Sequence, residues 1–184
     1  MKKLLIFVGV IVAFCLYSII SNEMELRAMA TTEGREKVIR EKYEDAVITA
    51  EKELEGYIIS AFDVGGTPGH SVLEEHGYAV FKPIAEGKYD FKTYSIVVEK
   101  YRLVSGYLRI PDSEIDYDIY VCKKEGIEYL DVIRRDTYTG ELLQHEKLYL
   151  DDSGIAIMKQ DPVVWAWETK TTGYDAEGNP DDLW

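Results

Sequence analysis

Only two cysteines and three histidines occur in this 184-residue chain, and its basic residues are badly outnumbered. Each shortage excludes something. Cys15 falls inside a long apolar run and Cys122 far from it, so no disulfide framework holds the chain together and its stability must come from a packed core. With Lys2 and Lys3 at the start set aside, 19 basic residues remain against 34 acidic ones, a net charge of −15. Nucleic-acid affinity comes largely from Lys and Arg displacing phosphate counterions, so no nucleic-acid partner is expected.

The histidines are too scattered for a metal motif. His70, Glu74, Glu75 and His76 form the one His/carboxylate cluster, and His145 lies far along the chain. There is no HExxH and no second pair of ligands at fixed spacing, so no metal site and no cofactor is expected. Gly69-His70-Ser71-Val72-Leu73 begins like a nucleophile elbow, but Leu73 stands where that turn needs glycine. The glycine-rich 65–69 stretch lacks the lysine and the helix opening of a phosphate cradle. Asp175, Glu177 and Asn179 alternate like calcium ligands, yet Pro180 occupies the position where that loop requires glycine. No catalytic residue is assigned.

What the chain has in abundance is apolar and aromatic surface: 46% hydrophobic residues and fourteen tyrosines, a composition that folds. Its longest concentration is LLIFVGVIVAFCLYSII, residues 4–20, without a charge. Such a run approaches the ~20 residues that span a bilayer, and Lys2 and Lys3 ahead of it place the rest of the chain outside the cytoplasm. Residues 1–22 therefore read as a single-pass anchor whose partner through residues 4–20 is the lipid bilayer. Ala28-Met29-Ala30 would serve as a cleavage site and release a secreted protein, but it lies beyond Glu23, Glu25 and Arg27 and the run exceeds what a signal peptide needs. Residues 23–32 read as a juxtamembrane linker.

In residues 33–55, Ile39, Tyr43, Ala46, Val47, Ala50 and Leu54 recur at helical steps within an arc of about 100°. One amphipathic helix is expected here, started by Thr32 and stopped by Gly56, with Val38 off its buried stripe. Beyond Gly56 the pattern changes to short Tyr-, Ile- and Val-rich segments between turns. Strands are expected at 57–63, 78–84, 91–101, 103–110, 115–122, 127–135, 141–150 and 155–159.

The fold class is accordingly α+β: the membrane helix, then one amphipathic helix packed on an antiparallel meander sheet, forming a domain over 33–168. A polar tail, 169–184, follows. Trp165 and Trp167 share one face of a last strand, and with Trp184 they are the candidate partner-binding residues, indole being favoured where an apolar body and one N–H are both useful. The function expected is that of a membrane-anchored extracytoplasmic binding or assembly domain of the cell envelope, non-catalytic, with a protein partner in the envelope. Two alternatives stand beside it. One is an envelope hydrolase using His70, His76 or His145 with neighbouring carboxylates; the other is a small-ligand carrier with a cavity between helix and sheet.

Overall fold

The computed structural model describes residues 2–65, 75–98, 102–110, 115–123, 126–160, 167–181 and 183, with side chains described from Val10 onward and not for residues 97 and 98. The fold is α+β, with two helices and three antiparallel sheets among the described residues. Helix α1 runs over Lys2–Ala28 and α2 over Thr32–Arg40. Among the described residues, which carry the side chains of only 10–20 of the apolar run, no helix is long and apolar enough to cross a membrane.

The stretch expected to be a linker is instead structured. It forms the end of α1, a tight turn and the start of α2, whose cap is Thr31 rather than Thr32: its side chain accepts from the Gly34 N–H at 3.1 Å. Met29 is buried beside Leu26 and Ile39. Gly34 is required by this junction, since a Cβ there would lie 1.9 Å from the Ala28 carbonyl oxygen.

The single helix expected over 33–55 is corrected: it ends after Arg40, and Ala46–Leu54 is the first strand, β1. Two local features decide this. Glu55 and Gly56 both take positive φ, 50° and 81°, as a two-residue hairpin turn demands, so Gly56 reverses a strand instead of ending a helix. The register of β1 against β2 (Tyr57–Val64) also shifts between Ile48 and Ala50, so β1 changes the face it presents. Ala46 and Ile48 pack towards the helices, whereas Ala50 and Leu54 pack on the opposite face. A bulged strand thus spaces its apolar residues much as a helix would. Val47, on the expected buried stripe, is 47% exposed. Ile39 is buried and Val38 only partly so, as the stripe predicts for the part that is helical.

One meander is likewise replaced by three sheets. The first is β1-β2-β3-β4, with β3 Glu75–Ala85 and β4 Lys88–Val98. In the second, β5 (Leu103–Arg109), β6 (Asp116–Cys122) and β9 (Ile155–Lys159) lie in the order β5-β6-β9. The third has the order β11-β10-β7-β8, from β7 Tyr129–Asp136, β8 Leu142–Tyr149, β10 Trp167–Tyr174 and β11 Pro180–Asp181. The hairpin β7–β8 is set between β6 and its neighbour β9, and so falls into a separate layer.

Three apolar clusters hold these layers together. Met29, Ile39, Phe62 and Phe81 pack together between the helices and the first sheet. Ile59, Tyr78 and Val80 meet Val104, Leu108 and Ile119 between the first and second sheets. Leu103, Tyr120 and Met158 meet Leu130, Val132 and Leu183 between the second and third. The second sheet is covered on both faces. The residues read as a polar tail belong to this last layer: β10 pairs with β7 from Trp167↔Asp136 to Tyr174↔Tyr129, and Leu183 is 1% exposed.

Candidate functional site

Strand alternation sorts the side chains of the second and third sheets into faces. On β6, Tyr120 and Cys122 turn towards the third sheet, and Asp118 shares their parity. On β7, Leu130 and Val132 turn back, and Arg134 follows them. Along this interface the inward positions are therefore apolar at one end and polar at the other.

At the polar end a cavity of about 530 Å³ opens between the sheets. Tyr107, Asp118, Gln160, Trp167 and Thr169 are among its lining residues. Gly106 of β5 also lines it, and a Cβ there would stand 1.5 Å from the Tyr78 hydroxyl on the far side of the sheet.

A buried polar network organises this end. Arg134, 4% exposed, forms an ion pair with Asp118, and the Gln160 side-chain amide donates to the other Asp118 oxygen. The Tyr120 hydroxyl also donates to Asp118, at 3.3 Å. Arg134 donates to Gln144 Oε1 at 3.2 Å, and the Gln144 amide donates to Glu146 at 2.6 Å and to the Lys159 carbonyl at 2.9 Å. The Arg134 guanidinium lies 5.0 Å from the centre of the Trp167 ring. Arg134 Nε is buried with no hydrogen-bond partner among the described residues. Burial lowers the Arg134 pKa and Glu146 opposes that shift. Burial also pushes the Tyr120 hydroxyl up to about 12, so that it stays protonated at neutral pH.

Of the three tryptophans read as partner-binding, Trp167 reaches this cavity and is 37% exposed; Trp165 and Trp184 lie outside the described residues. His70 and the Gly-His-Ser segment lie outside them too. His76 and His145 are not brought together. His76 is buried in β3, opposite Asp63 of β2, and its Nε2 has no hydrogen-bond partner among the described residues. Asp63 is itself paired with Lys123. Burial, and then Lys123, hold the His76 pKa below its ordinary value against the pull of Asp63. His145 sits on β8, 48% exposed, with Nε2 2.8 Å from Asp131. Among the described residues no three His, Cys, Asp or Glu side chains could hold a metal ion together. Asp175 and Asn179 bond to each other at 2.7 and 2.8 Å in a turn.

Sequence reasoning singled out Trp167, which lines this cavity, but not Asp118, Arg134 or Gln160. One signal was available: strand alternation puts the charged Asp118 and Arg134 on the same faces as Tyr120 and Cys122 of β6 and Leu130 and Val132 of β7. Comparison with protein-family models, with curated proteins and with solved structures finds no match.

Proposed function

We propose that the chain is a membrane-anchored extracytoplasmic binding domain of the cell envelope, non-catalytic, which presents the cavity between its second and third sheets to an envelope partner. The observation that carries this reading is α1. Every side chain from Val10 to Ile20 is exposed, all around the helix, with Phe14 at 72% and Ile19 at 65%. A helix apolar on every side needs an apolar surrounding. Leaving its seven large aliphatic and phenyl side chains in water would cost on the order of 10 kcal/mol at roughly 25 cal/mol per Å². The bilayer removes that cost, and the charge-free run 4–20 continues the same character towards Lys2 and Lys3.

Past Ile20 the helix changes partners. Glu23 pairs with Lys88 of β4 at 2.6 Å, and Leu26 and Met29 enter the core beside Phe81. The anchor is thereby joined to the domain through packed side chains, and the domain is held at the membrane in a defined orientation. Binding fits the cavity better than chemistry does. The Asp118 carboxylate is fully engaged by Arg134, Gln160 and Tyr120, and the Tyr120 hydroxyl does not ionise near neutrality.

Alkaline carbonate washing of membranes from cells expressing the full chain, followed by mass spectrometry, tests the anchor. The protein should stay with the membrane and yield peptides from before Ala28. A mature N-terminus at Thr31 in the soluble fraction would overturn the anchored reading.

A further inference from the structure

The polar end of the interface between the second and third sheets departs from what a folding core alone would select. Asp118 and Arg134, with side chains 13% and 4% exposed, occupy inward positions of β6 and β7 where apolar residues continue the same faces at the other end, and Ser105 and Tyr107 stand exposed beside them on β5. Buried polar groups at such positions cost stability compared with apolar ones of similar volume. They are accompanied here by a cavity of ligand size.

The chemistry left for a ligand is specific. The charge of Arg134 is taken up by Asp118, so the pair brings no net charge to the wall. Gln160 binds Asp118 through its amide nitrogen, and its Oε1 makes no hydrogen bond among the described residues. The Ser105 and Thr169 hydroxyls and the Trp167 indole N–H at the opening make none within the described protein either, while a hydroxyl both donates and accepts. Arg134 covers part of the indole, and the side chain keeps 37% of its surface free. The wall thus offers mixed donors and acceptors without net charge, beside a flat aromatic surface.

We infer that this cavity binds a neutral oligosaccharide, with one sugar ring laid on Trp167 and its hydroxyls exchanged against Ser105, Thr169 and Gln160. A sugar ring matches both halves of the site. Its hydroxyls donate and accept like the wall, and its C–H face is apolar enough to lie on an indole. Anionic ligands are disfavoured by the −15 charge of the chain beyond Lys3. A peptide would find main-chain partners at the edge of β10, which β11 covers only at Gly173 and Tyr174. It would have no use for the inward polar groups. The inference rests on reading the cavity as a binding site and adds the class of ligand.

The test is calorimetric titration of the full chain in zwitterionic micelles, since sugar-headed detergents would compete. The probes are fully N-acetylated chitotetraose, maltotetraose and cellotetraose, a glycerol-phosphate oligomer and an uncharged decapeptide. At least one neutral oligosaccharide should bind saturably. Trp167→Ala should weaken it by about tenfold or more, and Trp167→Phe, which keeps a flat ring, by less. The double variant Ser105→Ala/Thr169→Val, at exposed positions, should weaken it without shifting the thermal midpoint. An oligosaccharide affinity unmoved by Trp167→Ala overturns the inference. A phosphate or peptide probe that alone binds, and loses affinity with Trp167→Ala, overturns the ligand class but keeps the cavity as a binding site. Folded protein that binds none of the probes overturns both, leaving the membrane anchor to its own test.

Discussion

Replacing Asp118 by alanine should strand Arg134 inside the protein. The two side chains are 13% and 4% exposed, so water screens their interaction little. With Asp118 gone, the guanidinium keeps one hydrogen bond, to Gln144, and the face of Trp167. Removing one partner of a buried pair typically costs ~3–5 kcal/mol, because the remaining charge has lost its solvation and gained nothing. That is a large share of the roughly 5–15 kcal/mol by which domains are stable. At about 2–4 °C per kcal/mol the midpoint should fall by roughly 6–20 °C.

Urea unfolding of the full chain in micelles, followed by tyrosine and tryptophan fluorescence, measures it. The double variant Asp118→Leu/Arg134→Met should recover most of the loss, since an apolar pair removes both desolvation penalties. It should also bind the oligosaccharide more weakly, since Gln160 and Trp167 lose the partners that hold them, which would separate stability from function at this site. A loss below about 1 kcal/mol in Asp118→Ala, or a double variant no better than the single one, would refute the reasoning.

His76 gives a pH signature. Its folded pKa is depressed, so as pH falls below about 6.5 the unfolded chain takes up a proton that the fold refuses. Stability should drop from there downward by up to ~1.4 kcal/mol per pH unit, and His76→Asn should flatten this slope in thermal melts between pH 7.5 and 5; an unchanged slope would count against it. Glu51 adds a separate loss at lower pH. Burial raises its pKa, but hydrogen bonds from Arg35, Ser60 and Thr32 outweigh that and hold it low, so Glu51→Gln should remove part of the decline below about 4.5 only. Leu183→Ala should cost about 2–5 kcal/mol by calorimetry despite its place near the C-terminus, whereas a disordered tail would show no change. Gly106→Ala should cost ~1–3 kcal/mol, less when Tyr78 is shortened to Leu in the same chain.

Most strands between Gly56 and Lys159 were legible because turn residues bound them and they hold their own alternation, whereas β10 and β11 lay largely in the stretch read as a polar tail. The expected 155–159 strand coincides with β9, and 103–110 and 115–122 differ from β5 and β6 by one residue at an end. Ala46–Leu54 was not legible as a strand. Its bulge breaks the period of two, and the residues that restore a helical period, Ala46, Ala50 and Leu54, face two different cores. The layer structure was hidden for another reason. Nothing local to β7 and β8 says that β9 will return to β6, and that long-range choice places Arg134 across from Asp118. The polar network therefore emerges only once three separate strands are assembled. Trp167 could be found without them, since an indole near a strand end announces itself.

The central claim is that the domain stands outside the cytoplasm on its own helix. The most direct measurement places a cysteine at Thr139, in the β7–β8 turn beside Tyr138, which is 87% exposed. Cys15 is changed to serine, and Cys122 stays because it is buried. Spheroplasts carrying this full-length variant are treated with a membrane-impermeant maleimide, before or after lysis. The account predicts equal labelling in both cases. Labelling that occurs only after lysis would put the domain in the cytoplasm and contradict it.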